Sequence, residues 1–162
     1  MSKELLITGL RNAHAMENQA HEMLERQVER MGDYPELRAR LQEHLAETKT
    51  QMKRLEQCLG KLDSDTSSLK DMTMSLGANI AAMGHAMASD EVLKNTFANG
   101  GLEAYEIASY KSLIKMAESA EPSLIATLKQ SLAEEEKMAD WVEQNVERIT
   151  AQYMAREAKA AA

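Results

Sequence analysis

The sequence predicts an all-α fold, an antiparallel four-helix bundle in which a shorter helix joins two helix pairs. Three observations lead there. The chain is rich in Ala, Leu, Glu, Met and Lys while aromatic residues make up only 4%, a mixture that favours helix over strand. Four long segments carry apolar residues at alternating steps of three and four, which is the helical period. The two prolines, Pro35 and Pro122, fall where such segments begin, the position at which proline costs a helix least. The 162 residues amount to a single domain, 1–162, long enough to bury a core without disulfides or a structural metal.

The first helix pair spans 3–60. From Lys3 to Arg30 the apolar or small positions are Leu6, Leu10, Ala13, Ala20, Leu24 and Val28, and the turn this stripe skips is filled by Glu17. Gly32 ends the helix, and Asp33 and Glu36 then have capping-box spacing around Pro35. The second helix runs to Leu59, with Gly60 as its stop. Its stripe of Leu37, Leu41, His44, Thr48, Gln51 and Leu55 is polar in the middle, with Glu47 at its flank. Lys61 to Ser67 is a polar loop, and the Met- and Ala-rich stretch 67–87 is expected to be the connecting helix.

The second pair spans 90–156. Ser89-Asp90 caps a third helix that extends to Ser119, and Gly100-Gly101 inside it costs about 1 kcal/mol per glycine relative to alanine, a place for a break or bulge. The stripe beyond reads Leu102, Glu106, Ser109, Leu113 and Met116, again with a glutamate in core phase. Pro122 opens a fourth helix that runs to Ala155. Its stripe is Leu124, Leu128, Ser131, Glu135, Met138, Val142 and Ile149, with Glu134 beside it, and the Ala/Lys tail after Arg156 is expected to fray.

All four helices share an anomaly: acidic or imidazole side chains near the midpoint, on or beside the face that should be apolar. His14-Ala-Met-Glu17 resembles Glu103-Ala-Tyr-Glu106, and His44-Leu-Ala-Glu47 corresponds to Ser131-Leu-Ala-Glu134. Each i,i+3 pair projects from one helix face, so the chain reads as a duplicated helical hairpin. Burying one unpaired carboxylate costs several kcal/mol, and several together also repel. Lys49, Lys111 and Lys137 are too few to neutralise them, whereas a pair of divalent cations would. An oxygen-rich set with one or two imidazoles suits iron or manganese rather than a soft metal. The candidate ligands are Glu17, His44, Glu47, Glu103, Glu106 and Glu134, with Glu135 and His14 open. Glu17 and Glu106, which share one phase at matching depth, carry most of the weight. Glu47 and Glu134 flank their stripes and suit a solvated face equally. His44 reads as a ligand or as a satisfied core histidine, and His14 and His21 read as surface or cap residues.

Other classes find little support. A net charge of −7 without a Lys/Arg cluster argues against nucleic acid. No apolar stretch approaches a membrane span, and Lys3 and Glu4 interrupt any signal-like run. The single cysteine, Cys58, precludes an internal disulfide and fits a reducing cytoplasm. Met72, Met74, Met83 and Met87 suggest adaptable packing or a subunit contact. Tyr105 and Tyr110 flank Glu106 as core residues or as donors to the site.

Several stretches resemble the YciE/YciF-type family of bacterial ferritin-like proteins, the YciE branch above all. They are Arg11-Asn-Ala-His-Ala-Met-Glu-Asn-Gln-Ala20, Tyr34-Pro-Glu-Leu-Arg-Ala-Arg40, His44-Leu-Ala-Glu-Thr-Lys49, Tyr105-Glu-Ile-Ala-Ser-Tyr110 and Met138-Ala-Asp-Trp141, in order across nearly the whole chain. The resemblance implies a ferritin-like bundle, a homodimer, a bacterial stress-response setting and a dinuclear centre, with two iron ions or manganese. It implies that Glu17 and Glu106 are counterpart glutamates, that His44 and Glu47 form the second-helix pair, and that Glu103 and Glu134 complete the set. Such a centre would react with oxygen or peroxide. The alternative is a dimeric helical stress protein or scaffold that binds no metal.

Overall fold

The structure, a computed structural model, describes residues 2–62 and 90–162. Their elements are α1 (Ser2–Arg30), α2 (Pro35–Lys61), α3 (Glu91–Ala120), a single 3-10 turn (Pro122–Leu124) and α4 (Ile125–Ala160). The described residues contain no strand. The expected connecting helix at 67–87 lies outside the described residues.

The four helices pack in a ring: α1 against α2 and α3, and α4 against α3 and α2. Cross-helix pairs give the directions. His14 meets Glu56 and Glu25 meets Lys49, so α1 and α2 are antiparallel. Gln27 meets Asn99 while Glu17 meets Tyr110, which sets α1 against α3. Arg54 meets Glu134 and Lys137 meets Glu43, which sets α2 against α4. Lys111 meets Glu136 across the α3–α4 hairpin. Every neighbouring pair is therefore antiparallel. The chain leaves α2 at one end of the bundle and begins α3 at the other, the topology of a bundle with one long crossover.

Two apolar clusters occupy the two ends. One gathers Leu6, Leu10, Leu55, Leu59, Leu113, Leu124 and Leu128 with Cys58 and Tyr110. The other gathers Leu24, Met31, Leu37, Leu41, Val92, Met138, Val142 and Ile149. A fully buried leucine contributes about 1.5–3 kcal/mol, so these clusters stabilise the bundle and leave its waist to other chemistry.

Local expectations fared unevenly. The N-cap of α2 is Tyr34, with no side-chain cap bond. Asp33 instead holds Arg156 at 2.5 Å and Glu36 holds Arg148, because both acids face the end of α4. The Gly100-Gly101 pair does not break α3. A Cβ at Gly100 would lie 3.4 Å from Val142 Cγ1, at the near edge of ordinary contact. Gly60 does not stop α2, and the tail past Arg156 stays helical to Ala160. No helix among the described residues is long and apolar enough to cross a membrane.

Candidate metal centre

Between the two clusters lies a buried polar layer to which every helix contributes: Glu17 from α1, His44, Thr48 and Gln51 from α2, Glu103 and Glu106 from α3, Ser131 and Glu135 from α4. Each is 1% exposed or less, so none of these carboxylates is reached by bulk water. Helical spacing places them there. The turns that carry Glu17, His44, Glu106 and Glu135 lie in phase with the buried apolar residues before and after, so packing those residues inward carries the polar ones in too.

His44, Glu103, Glu106 and Glu135 each offer one ligand atom, all within 4.8 Å of one another. His44 is held from both sides. Its Nδ1 lies 3.1 Å from Glu47 Oε2, while Nε2 faces inward, 3.2 Å from Glu103 Oε1 and 3.5 Å from Glu135 Oε2. Glu17 stands at the edge of this group, where the Tyr110 hydroxyl donates to its Oε1 at 2.5 Å. Six carboxylate oxygens, on Glu17, Glu103, Glu106 and Glu135, have no hydrogen-bond donor among the described residues other than a protonated neighbouring carboxyl.

The electrostatics follow from this crowding. Burial, then the neighbouring carboxylates, pushes Glu135 up to about 11 and Glu106 well above the usual range. Burial raises Glu17 to about 8 against the opposing pull of the Tyr110 hydroxyl and His44. Burial alone would lower His44, yet its bonds to Glu103 and Glu47 lift it to about 9. Glu47 runs the other way: burial would raise it, but His44 and Arg40 hold it near 2. In the metal-free chain, protons thus supply the positive charge that the layer lacks.

Glu47 and Glu134 sit on the rim rather than inside. Glu47 is bound by Arg40, with both terminal nitrogens 3.3 Å from Oε2, and by Lys137 at 3.5 Å. Glu134 makes a two-pronged pair with Arg54 at 2.6 and 2.9 Å and accepts from Gln51 at 3.0 Å. Its neighbour Glu135 takes the interior position. His14 pairs with Glu56 at 3.1 Å, away from the cluster, and Tyr105 is exposed while Tyr110 is fully buried. Cys58 lies in an apolar cluster, where burial pushes its thiol up. The sequence reading overlooked Arg40 and Arg54. Their step of three or four from inward positions was visible, but long cations at helix flanks usually reach into solvent.

The fold and the layer define a class: a four-helix bundle with a buried His/Glu cluster, drawn from three helices, that could hold a metal ion. Residues 1–155 match the family described as a domain of unknown function, DUF892, and the chain belongs to that family. A crystal structure of a protein from Xanthomonas campestris pv. campestris is 31% identical, covers 97% of this chain and 99% of its own, and superposes with a TM-score of 0.81. YcfI from Rhodopseudomonas palustris, provisionally described as a structural protein, is 25% identical over 88% of this chain and 93% of its own, with a TM-score of 0.70.

Proposed function

We propose that this protein is a ferritin-like carboxylate metalloprotein that binds divalent iron or manganese at its waist. The observation that carries the proposal is the set of six sealed carboxylate oxygens without a donor, facing one imidazole. Leaving such groups unmatched costs the fold several kcal/mol, and evolution of a core would more readily place leucine there. The donor set fits the metal: three hard carboxylates and a single nitrogen favour iron or manganese, and no thiolate is near. Glu103, Glu106, Glu135 and His44 Nε2 would hold the ion. Glu47 fixes the imidazole through Nδ1, the arrangement that orients histidine ligands in metal sites. Glu17, with its unpartnered Oε2, adds a further oxygen at the edge.

Bound iron would supply one-electron chemistry toward oxygen or peroxide, in keeping with the stress-response setting implied by the resemblance. The chain's own part is to seal the waist between two apolar clusters and to position the carboxylates. The test is metal analysis and thermal unfolding with and without manganese(II) or anaerobic iron(II). Loading to at least one equivalent is expected, together with a rise in Tm, since a ligand at a hundred times its Kd stabilises the folded state by about 2.7 kcal/mol. A Glu103→Ala/Glu135→Ala variant should lose both effects. Protein that takes up less than a tenth of an equivalent and melts unchanged would leave the buried acids without this explanation.

A further inference from the structure

The helices differ in what they show to water. Among the described residues, α1, α2 and α4 carry exposed charges along their outer faces, such as Glu22 and Arg26, Glu43 and Lys53, Lys129 and Glu143. The outer face of α3 does not. No charged side chain is exposed between Lys94 and Lys111, because the two acids of that stretch, Glu103 and Glu106, are both turned into the waist. The exposed residues there include Phe97, Gly101, Ala104, Tyr105 and Ala108, which steps of three and four place along one side of the helix. Phe97 and Tyr105 are each 57% exposed, so two aromatic rings stand in water on a strip of glycine and alanine.

The cations at the two ends of this strip are engaged within the chain. Lys94 meets Asp90 at 2.8 Å, and Lys111 meets Glu136 at 3.1 Å. The strip therefore offers no positive field to draw a nucleic acid or an anionic lipid surface. A second copy of the chain is a better match. Each copy carries a net charge of −7, so two copies repel least where they meet without charge. A closed pair is related by a two-fold axis, and each contact across it occurs twice. With that axis across Gly101, two antiparallel α3 helices set Phe97 against Tyr105 of the second copy, and Tyr105 against its Phe97. Gly101, with no side chain, lets the backbones approach where they cross. The same register sets Lys111 opposite Glu91 of the second copy, next to its Asp90, so opposite charges meet at both ends. An axis between Ala104 and Tyr105 would instead set Lys94 against Lys115 of the second copy, like charge on like.

We propose that the outer face of α3 is a homodimer interface in which the Phe97 and Tyr105 rings of two copies pair on either side of Gly101. α3 then serves on both sides: Glu103 and Glu106 line the waist on one, and the second copy docks on the other, which sets the two waists back to back. Helices overlapping from Glu91 to Lys111 share about 30 Å of length. A contact of that extent lies at the small end of specific interfaces, with a Kd in the micromolar range.

The experiment is sedimentation velocity on the full chain, from about 1 to 300 µM to bracket a micromolar Kd. Wild type should pass from monomer to dimer over that range. Phe97→Glu and Tyr105→Glu, both at exposed positions, should each weaken the dimer at least tenfold while helical content stays as in wild type. Met154→Glu, an equally exposed apolar residue on α4, should leave the dimer as it is. The register is read by cysteine cross-linking with diamide, since the one native cysteine, Cys58, is buried. Gly101→Cys should give a disulfide-linked dimer and Ala108→Cys should not, because only a residue on the axis meets its own copy. Wild type that stays monomeric throughout would overturn the proposal and leave the face to a different partner. A dimer that survives both glutamate variants, or that Met154→Glu dissociates as readily, would overturn the choice of face. Gly101→Cys that stays unlinked in the dimer would overturn the pairing of the rings.

Discussion

His44 shows how one side chain is made to face a single way. An isolated core histidine can satisfy itself with one backbone partner and point anywhere. This one has a carboxylate on each ring nitrogen, Glu47 at 3.1 Å outside and Glu103 at 3.2 Å inside. Glu47 is in turn fixed by Arg40, so the outer partner is itself held in place. Replacing Glu47 by glutamine keeps the shape and removes the charge that steadies the imidazole. Outer partners of this kind are worth about 10–100-fold in metal affinity. We therefore expect Glu47→Gln to weaken manganese binding by that factor in a calorimetric titration, with the helical content intact. Equal affinity would mean that Glu47 is only a surface partner of Arg40 and Lys137.

At the scale of the helix, legibility depended on contrast. α1, α2 and α4 carry apolar residues on either side of these polar positions, so Glu17, His44 and Glu135 stood out in phase, and all three are buried. The choice between Glu134 and Glu135 turned on pairing the two hairpins by motif. The motif Ser131-Leu-Ala-Glu134 points to Glu134, but the interior stripe runs Leu128, Ser131, Glu135, Met138, and packing follows the stripe. α3 was harder, because its apolar residues lie all around it. Its buried face runs Glu103, Glu106, Tyr110, Leu113, Ala117, while Ser109 is half-buried and Met116 is 36% exposed. Arg40, Arg54 and the turn chemistry at Asp33 depend on partners more than forty residues away in sequence or on side-chain reach, which periodicity does not encode. The pair Gln27–Asn99 belongs to the same group. The two buried amides exchange hydrogen bonds at 3.0 and 2.9 Å and fix how α1 and α3 slide past one another. Gln27→Leu strands the Asn99 amide and should cost about 1–3 kcal/mol in urea unfolding, whereas Gln27→Leu/Asn99→Leu should recover most of that loss. Strictly additive losses would show the two amides to be independent.

For the molecule as a whole, the buried layer ties stability to pH, and the sign depends on whether a metal is present. In the metal-free chain Glu17 titrates near 8 and Glu135 near 11, both above their ordinary value of 4.5, and His44 near 9 rather than 6.5. Between about pH 5 and 8 the folded chain therefore keeps protons that the unfolded chain has released. Stability from these groups is full below the unfolded values and is lost as pH climbs toward the folded ones, with each such proton worth up to about 1.4 kcal/mol per pH unit. Glu47, held near 2, acts oppositely, but only in acid: its contribution is present above 4.5 and disappears as pH falls toward 2. Metal-free protein in chelator should thus melt highest near pH 5 and lose Tm steadily to pH 8. A bound divalent ion takes over the role of those protons, and its affinity rises with pH because it competes with them for the same oxygens. At fixed free manganese(II) the decline should flatten or reverse over the same range. A chelated protein whose Tm is level or rising from pH 5 to 8 would mean that Glu17, Glu106 and Glu135 are ionised and neutralised by something other than protons.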